Sequence, residues 1–153
     1  MADQVDILAV VDAVVLEMNG VRWSSAFAPE RKFQPLLFLK EMPADVLKVI
    51  AAPASKDAAA SSTRTEAENV LTVDLGLLYK FHPDTAVEVV DQKVGELIVL
   101  EQELERFWLR RRLTSNRSVI CLGVEISPLY DQAALMESRE FRAVVKLSMR
   151  WIA

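Results

Sequence analysis

The sequence predicts a single α+β domain: an antiparallel, mostly four-stranded sheet with two helices packed on one face, in the order α-β-β-α-β-β. Three observations carry this reading. Residues 84–112 form a long helical run whose apolar side chains, Val87, Val90, Val94, Leu97, Ile98, Leu104 and Trp108, fall on one side of a helical wheel. Residues 70–81 before it, and 118–127 and 139–151 after it, alternate apolar with polar side chains as strands do. A helix with one apolar stripe between such segments buries the stripe by lying across the sheet they form.

The bulk properties fit that frame. A chain of 153 residues is long enough for one buried core, and 52% hydrophobic with 26% charged residues is ordinary globular composition. The formal net charge of −4 gives no electrostatic reason to expect general nucleic-acid binding. Cys121 is the only cysteine, so no intramolecular disulfide forms, and a reducing compartment fits. The start, Met-Ala-Asp-Gln, lacks the basic flank and apolar run of a signal peptide, and no stretch is apolar for the length of a membrane span. A soluble protein made in the cytoplasm is expected.

Residues 3–18 read as the first helix. Asp3 is placed to cap it, Ile7, Leu8, Val11, Val14, Val15 and Met18 make one apolar face, and Asn19-Gly20 ends it. Residues 21–42 hold many large apolar groups broken by Pro29 and Pro35, which predicts a short extended piece over 24–32 and an irregular or single-turn segment over 36–40. Residues 46–52, β-branched and closed by Pro53, read as a strand. Residues 54–67 have no large apolar anchor, and the expectation is a mobile loop joining two strands, with a helical turn across the alanines as the alternative.

Over 70–81, Leu71, Val73, Leu75, Leu77, Tyr79 and Phe81 point inward. His82-Pro83-Asp84 closes that strand, and either Asp84 or Asp91 caps the long helix. In the third strand Ile120, Leu122, Val124 and Ile126 share one side. Pro128 begins a loop through Glu137, and Phe141, Ala143, Val145, Leu147, Met149 and Trp151 face inward in the last strand. One buried and one polar face signals a sheet covered on one side only.

No catalytic constellation emerges, and no enzyme activity or cofactor is expected. His82, the sole histidine, has only Asp84 nearby and reads as a solvated turn residue rather than a metal ligand or base. Cys121, without a histidine placed to activate it, reads as a small core or second-face residue. The four glycines form no phosphate loop. Glu101 falls inside the apolar stripe between Leu97 and Leu104. The favoured reading puts it at the edge of the stripe with a route to water; the sharper one gives it an arginine partner, from this chain or a neighbouring subunit. Arg110, Arg111 and Arg112 suit a helix C-terminus, whose dipole is negative, or alternatively contact phosphate or an acidic partner. Leu16 and Val99 lie on the polar sides of their helices and are candidate contacts between copies.

Taken in order, these segments resemble the tail-terminator (tail-completion) proteins of long-tailed bacteriophages and their kin in the phage neck. The resemblance covers nearly the full length. It rests on the amphipathic first helix, the segment Phe27-Ala-Pro-Glu-Arg-Lys-Phe-Gln-Pro35, the strand Val46-Leu-Lys-Val-Ile-Ala-Ala-Pro53 and a polar loop carrying Arg64. It continues with the alternating strand from Asn69 to Lys80, the helix after it, Ile126-Ser-Pro-Leu-Tyr130, and the closing run from Phe141 to Arg150.

The resemblance implies a structural virion protein at the head–tail junction. It would form a ring, commonly of six copies, that caps the tail tube, stops its growth and meets the head-side neck protein while DNA passes through the lumen without specific binding. It further implies that the 54–67 loop, through Lys56, Asp57, Arg64 and Glu66, reaches a ring neighbour or the tube protein. The alternatives are a head-closure or head–tail adaptor protein of the same neck, and a small cytoplasmic DNA-binding or regulatory protein using Arg110–Arg112.

Overall fold

The structure is a computed structural model, and it describes residues 6–34, 42–60 and 67–151. Over these residues it is an α+β fold with a five-stranded sheet and three helices. In chain order these are α1 (Ile7–Asn19), β1 (Glu30–Arg31), β2 (Leu47–Ala60), β3 (Ala67–Lys80), α2 (Val87–Trp108), β4 (Val119–Glu125), α3 (Gln132–Ser138) and β5 (Glu140–Trp151). The sheet order is β1-β2-β3-β5-β4, with every pairing antiparallel except β1 with β2.

The expected four-stranded sheet is thus its main body. The additions are β1, a two-residue strand inside the extended piece read over 24–32, and α3, in the stretch read as a loop. α3 forms because Asp131 caps it, accepting from the Ala134 N–H at 3.1 Å, and Arg139 ends it in the left-handed conformation.

The helix starts also differ from expectation. Asp6, not Asp3, caps α1, its carboxylate accepting from Leu8 N at 2.9 Å; Asp3 lies outside the described residues. α2 begins after Ala86, with neither Asp84 nor Asp91 as its cap, and Val87 in its first turn is exposed. The irregular segment read over 36–40 falls outside the described residues.

One core joins the two long helices to one sheet face. Val10, Val11, Val14 and Met18 of α1, and Val90, Val94, Leu97, Leu104 and Trp108 of α2, are buried with Leu71, Val73, Leu75 and Leu77 of β3 and Phe141, Val145, Leu147 and Met149 of β5. Fully burying one such side chain contributes about 1.5–3 kcal/mol. The opposite face is not wholly open, which corrects the one-sided sheet. Met42 packs with Ile50 and Leu78, both at positions that alternation turns away from the helices.

Two strands depart instructively from the sequence reading. β2 does not stop at Pro53. The register shifts between Pro53 and Ser55, and pairing with β3 then continues from Ser55↔Thr72 to Ala60↔Ala67. Over 54–60 the expected loop is therefore strand, because backbone pairing to β3 substitutes for the missing apolar anchors; residues 61–66 lie outside the described ones. In β4 a second shift, between Cys121 and Gly123, reverses the phase. Val119 and Cys121 are buried where Ile120 and Leu122 were expected, and Leu122 is 46% exposed. Beyond the bulge, Val124 and Ile126 return to the core side as expected.

Candidate functional site

The candidate residues do not converge on one centre. His82 is exposed at the end of β3, with Nδ1 3.7 Å from the Asp84 carboxylate and accepting from Asp84 N at 3.3 Å. That is a local turn contact. Cys121 is buried in β4, its thiol donating to Gly123 O at 3.4 Å, and burial pushes its pKa up to about 11. A thiol held protonated in this way is a poor nucleophile. Among the described residues no group of three or more His, Cys, Asp or Glu side chains is placed to hold a metal ion. No helix among them is long and apolar enough to cross a membrane.

Glu101 is not at the edge of the stripe. It is fully buried, neither carboxylate oxygen has a hydrogen-bond partner, and burial raises its pKa to about 8. The arginine partner is likewise not found among the described residues. An ionised carboxylate there would be expensive, so the group keeps its proton near neutral pH. Two turns further on, the Trp108 indole N–H is also buried without a partner. The inward face of α2 thus carries polar groups that its packing does not use.

The arginine run has a different job for each residue. Arg111 Nε donates to Glu17 Oε1 at 2.9 Å, and its guanidinium lies 4.1 Å from the centre of the Phe107 ring. Arg110 and Arg112 are exposed, and Arg112 Nη1 donates to Arg117 O at 2.9 Å. Their backbone also works. Arg110 N donates to Cys121 O at 2.7 Å, Cys121 N to Arg111 O at 2.9 Å, and Leu113 N to Val119 O at 3.0 Å. The run therefore pairs with the outer edge of β4 and occupies backbone groups an edge strand would otherwise leave open. Arg110 takes φ 67° to make this turn.

Glu17 is the residue that sequence reasoning missed. Its carboxylate also accepts from Thr114 Oγ1 at 3.1 Å, so the end of α1 is tied to the chain just after α2. Beside it, Trp23 Nε1 donates to Met18 O at 3.0 Å, and its ring meets Phe107 edge-on at 5.1 Å. Ser24 donates through N and Oγ to Glu103 at 3.1 and 2.9 Å. Nothing in the local sequence marks these contacts, because all but the bond from Trp23 to Met18 join residues far apart in the chain.

Of the residues expected to touch a neighbour, Lys56 and Asp57 are exposed on β2, near the far end of the β2–β3 hairpin, while Arg64 and Glu66 lie outside the described residues. β2 and β3 stay paired to Ala60↔Ala67, while β1 pairs with β2 at Ile50 and Ala51. Among the described residues, β2 is therefore the edge strand of the sheet from Ala52 onward. Leu16 and Val99 are exposed, at 70% and 46%. Compared with known proteins, the chain matches no family model and no curated sequence.

Proposed function

We propose that this chain is a structural protein of the phage neck, a ring subunit that caps the tail tube, terminates its growth and presents the joining surface for the head. The observation that carries the proposal is the long β2–β3 hairpin. It stays paired to Ala60↔Ala67, has Lys56 and Asp57 exposed near its end, and lies where the family resemblance expects a contact with a ring neighbour or the tube. An edge strand offers its outward backbone groups to a partner. The action is one of binding geometry. A ring forms when a head-to-tail contact repeats through a rotation that closes. The net charge of −4 suits a lumen through which DNA slides, since phosphate affinity comes from lysine and arginine contacts.

The test is to disrupt the gene in the phage that carries it and image the lysate by electron microscopy. Overlong, headless tails are the expected result. Normal-length tails beside leaking heads would instead assign the chain to head closure or to the adaptor, and intact virions would remove it from the neck altogether.

A second reading, a small DNA-binding or regulatory protein, draws on the exposed Arg110 and Arg112 at the end of α2. It requires salt-dependent affinity for duplex DNA that disappears when both become alanine.

A further inference from the structure

The solvent face of α2 carries a stripe that is its own complement. At 3.6 residues per turn, Glu88, Gln92, Gly95, Val99, Gln102 and Arg106 fall within about 40° of one line along the helix, opposite the buried stripe. All six are exposed, and none of these side chains makes a hydrogen bond or ion pair with the described residues. Their order is symmetric about Leu97. When a second copy of the helix is laid antiparallel against the first, Glu88 meets Arg106, Gln92 meets Gln102, and Gly95 meets Val99, and each pairing occurs twice.

We propose that two copies of this chain associate through α2, antiparallel across a twofold axis beside Gly95 and Val99. Three features support this occupant over any other. The first is charge: the acidic start of the stripe faces the basic end of its partner, which is the complementarity an isologous contact needs. The second is shape. Glycine is the weakest ordinary residue in a helix interior, yet a Cβ at Gly95 would meet nothing within 4 Å, so packing within the chain does not require it. A partner's Val99 side chain, half exposed in the single chain, would fill the space over that bare backbone.

The third feature is the state of the flanks. Lys93 pairs with Glu96 at 3.5 Å, and Glu103 is held by Ser24. The nearest acids beside the stripe therefore already have partners on their own chain, apart from Asp91. A twofold contact of this kind differs from the head-to-tail contact that closes a ring. The pairing does not depend on the neck reading.

Sedimentation equilibrium of the full chain tests it. The wild type is expected to rise from 17.2 kDa toward twice that mass as concentration increases. Glu88→Arg and Arg106→Glu should each weaken the association about tenfold or more. The double variant Glu88→Arg/Arg106→Glu should recover it, because the swapped charges face each other again across the axis. Those two positions lie about 27 Å apart on one helix, so recovery cannot arise within a single chain. Gly95→Trp should abolish pairing while far-ultraviolet circular dichroism stays unchanged. A wild type that remains monomeric up to about 1 mM would overturn the proposal. So would a folded Gly95→Trp that associates like the wild type, or a double variant no better than either single change.

Discussion

Glu17, in the last turn of α1, accepts a 2.9 Å hydrogen bond from Arg111 just beyond α2, closing a contact between residues 94 positions apart. The Glu17 side chain is only 8% exposed, and Thr114 fills more of its hydrogen-bonding capacity. This contact ties the ends of the two long helices together and leaves the backbone of the arginine run free to pair with β4. Arg111 is therefore a structural residue. Removing its partner leaves a partly covered charge without compensation.

Glu17→Ala is expected to destabilise the fold by about 1–3 kcal/mol. In a double-mutant cycle with Arg111→Ala the coupling should be about 1 kcal/mol, at the top of the range for exposed pairs. Urea unfolding of the four proteins measures it. A coupling indistinguishable from zero would show that the contact adds nothing to stability.

Glu101 sets a pH dependence. Its pKa rises from an ordinary 4.5 to about 8 on folding, because burial penalises the charged form. A raised folded-state pKa means the native state binds the proton more tightly than the unfolded state does. Its contribution is full below pH 4.5 and is lost as pH rises through 8, at up to about 1.4 kcal/mol per pH unit. Glu101→Gln keeps the shape and removes the titration. The stability difference between variant and wild type should therefore grow in the variant's favour from pH 5 to pH 8. Denaturant unfolding at those two pH values decides it, and parallel curves would contradict the burial of an unpartnered carboxyl.

Trp108 separates shape from polarity. Its ring is fully buried and its N–H unpartnered, so Trp108→Phe gives up some volume but also removes a buried polar group. The expected cost is below about 1.5 kcal/mol. Trp108→Ala, by contrast, should cost about 3–5 kcal/mol through the cavity it opens. Thermal unfolding of both variants checks the contrast.

Cys121 should be silent until the fold opens. With no exposed surface and a pKa near 11, its thiol is expected to react with a disulfide reagent at neutral pH only through unfolding of β4. Labelling in native buffer should be slower than in denaturant by orders of magnitude. Rapid native labelling would place the side chain outside the core and contradict the phase of β4.

The α+β fold class was legible for one physical reason: side-chain periodicity is a local property. The alternation in β3 and β5 placed Leu71, Val73, Leu75, Leu77, Phe141, Val145, Leu147 and Met149 in the core, where they are found. The 3.6-residue period of α2 likewise placed Val90, Val94, Leu97, Leu104 and Trp108. The exposed stripe about Leu97 is written in the same periodicity.

What periodicity could not supply is whatever depends on a partner strand or a distant side chain. The bulge in β4 exists only relative to β5, so the phase of Val119 and Cys121 could not be read from β4 alone. The strand over 54–60 is held by backbone pairing to β3, to which its small side chains contribute no signal. Glu101 looked able to reach water because a wheel shows a stripe but not the depth of its burial. By itself, the sequence determined which residues turn inward along each long element. Only the tertiary structure decided where strands slip in register, which polar groups are left without partners, and that Glu17 and Arg111 meet, because these depend on contacts between segments remote in the chain.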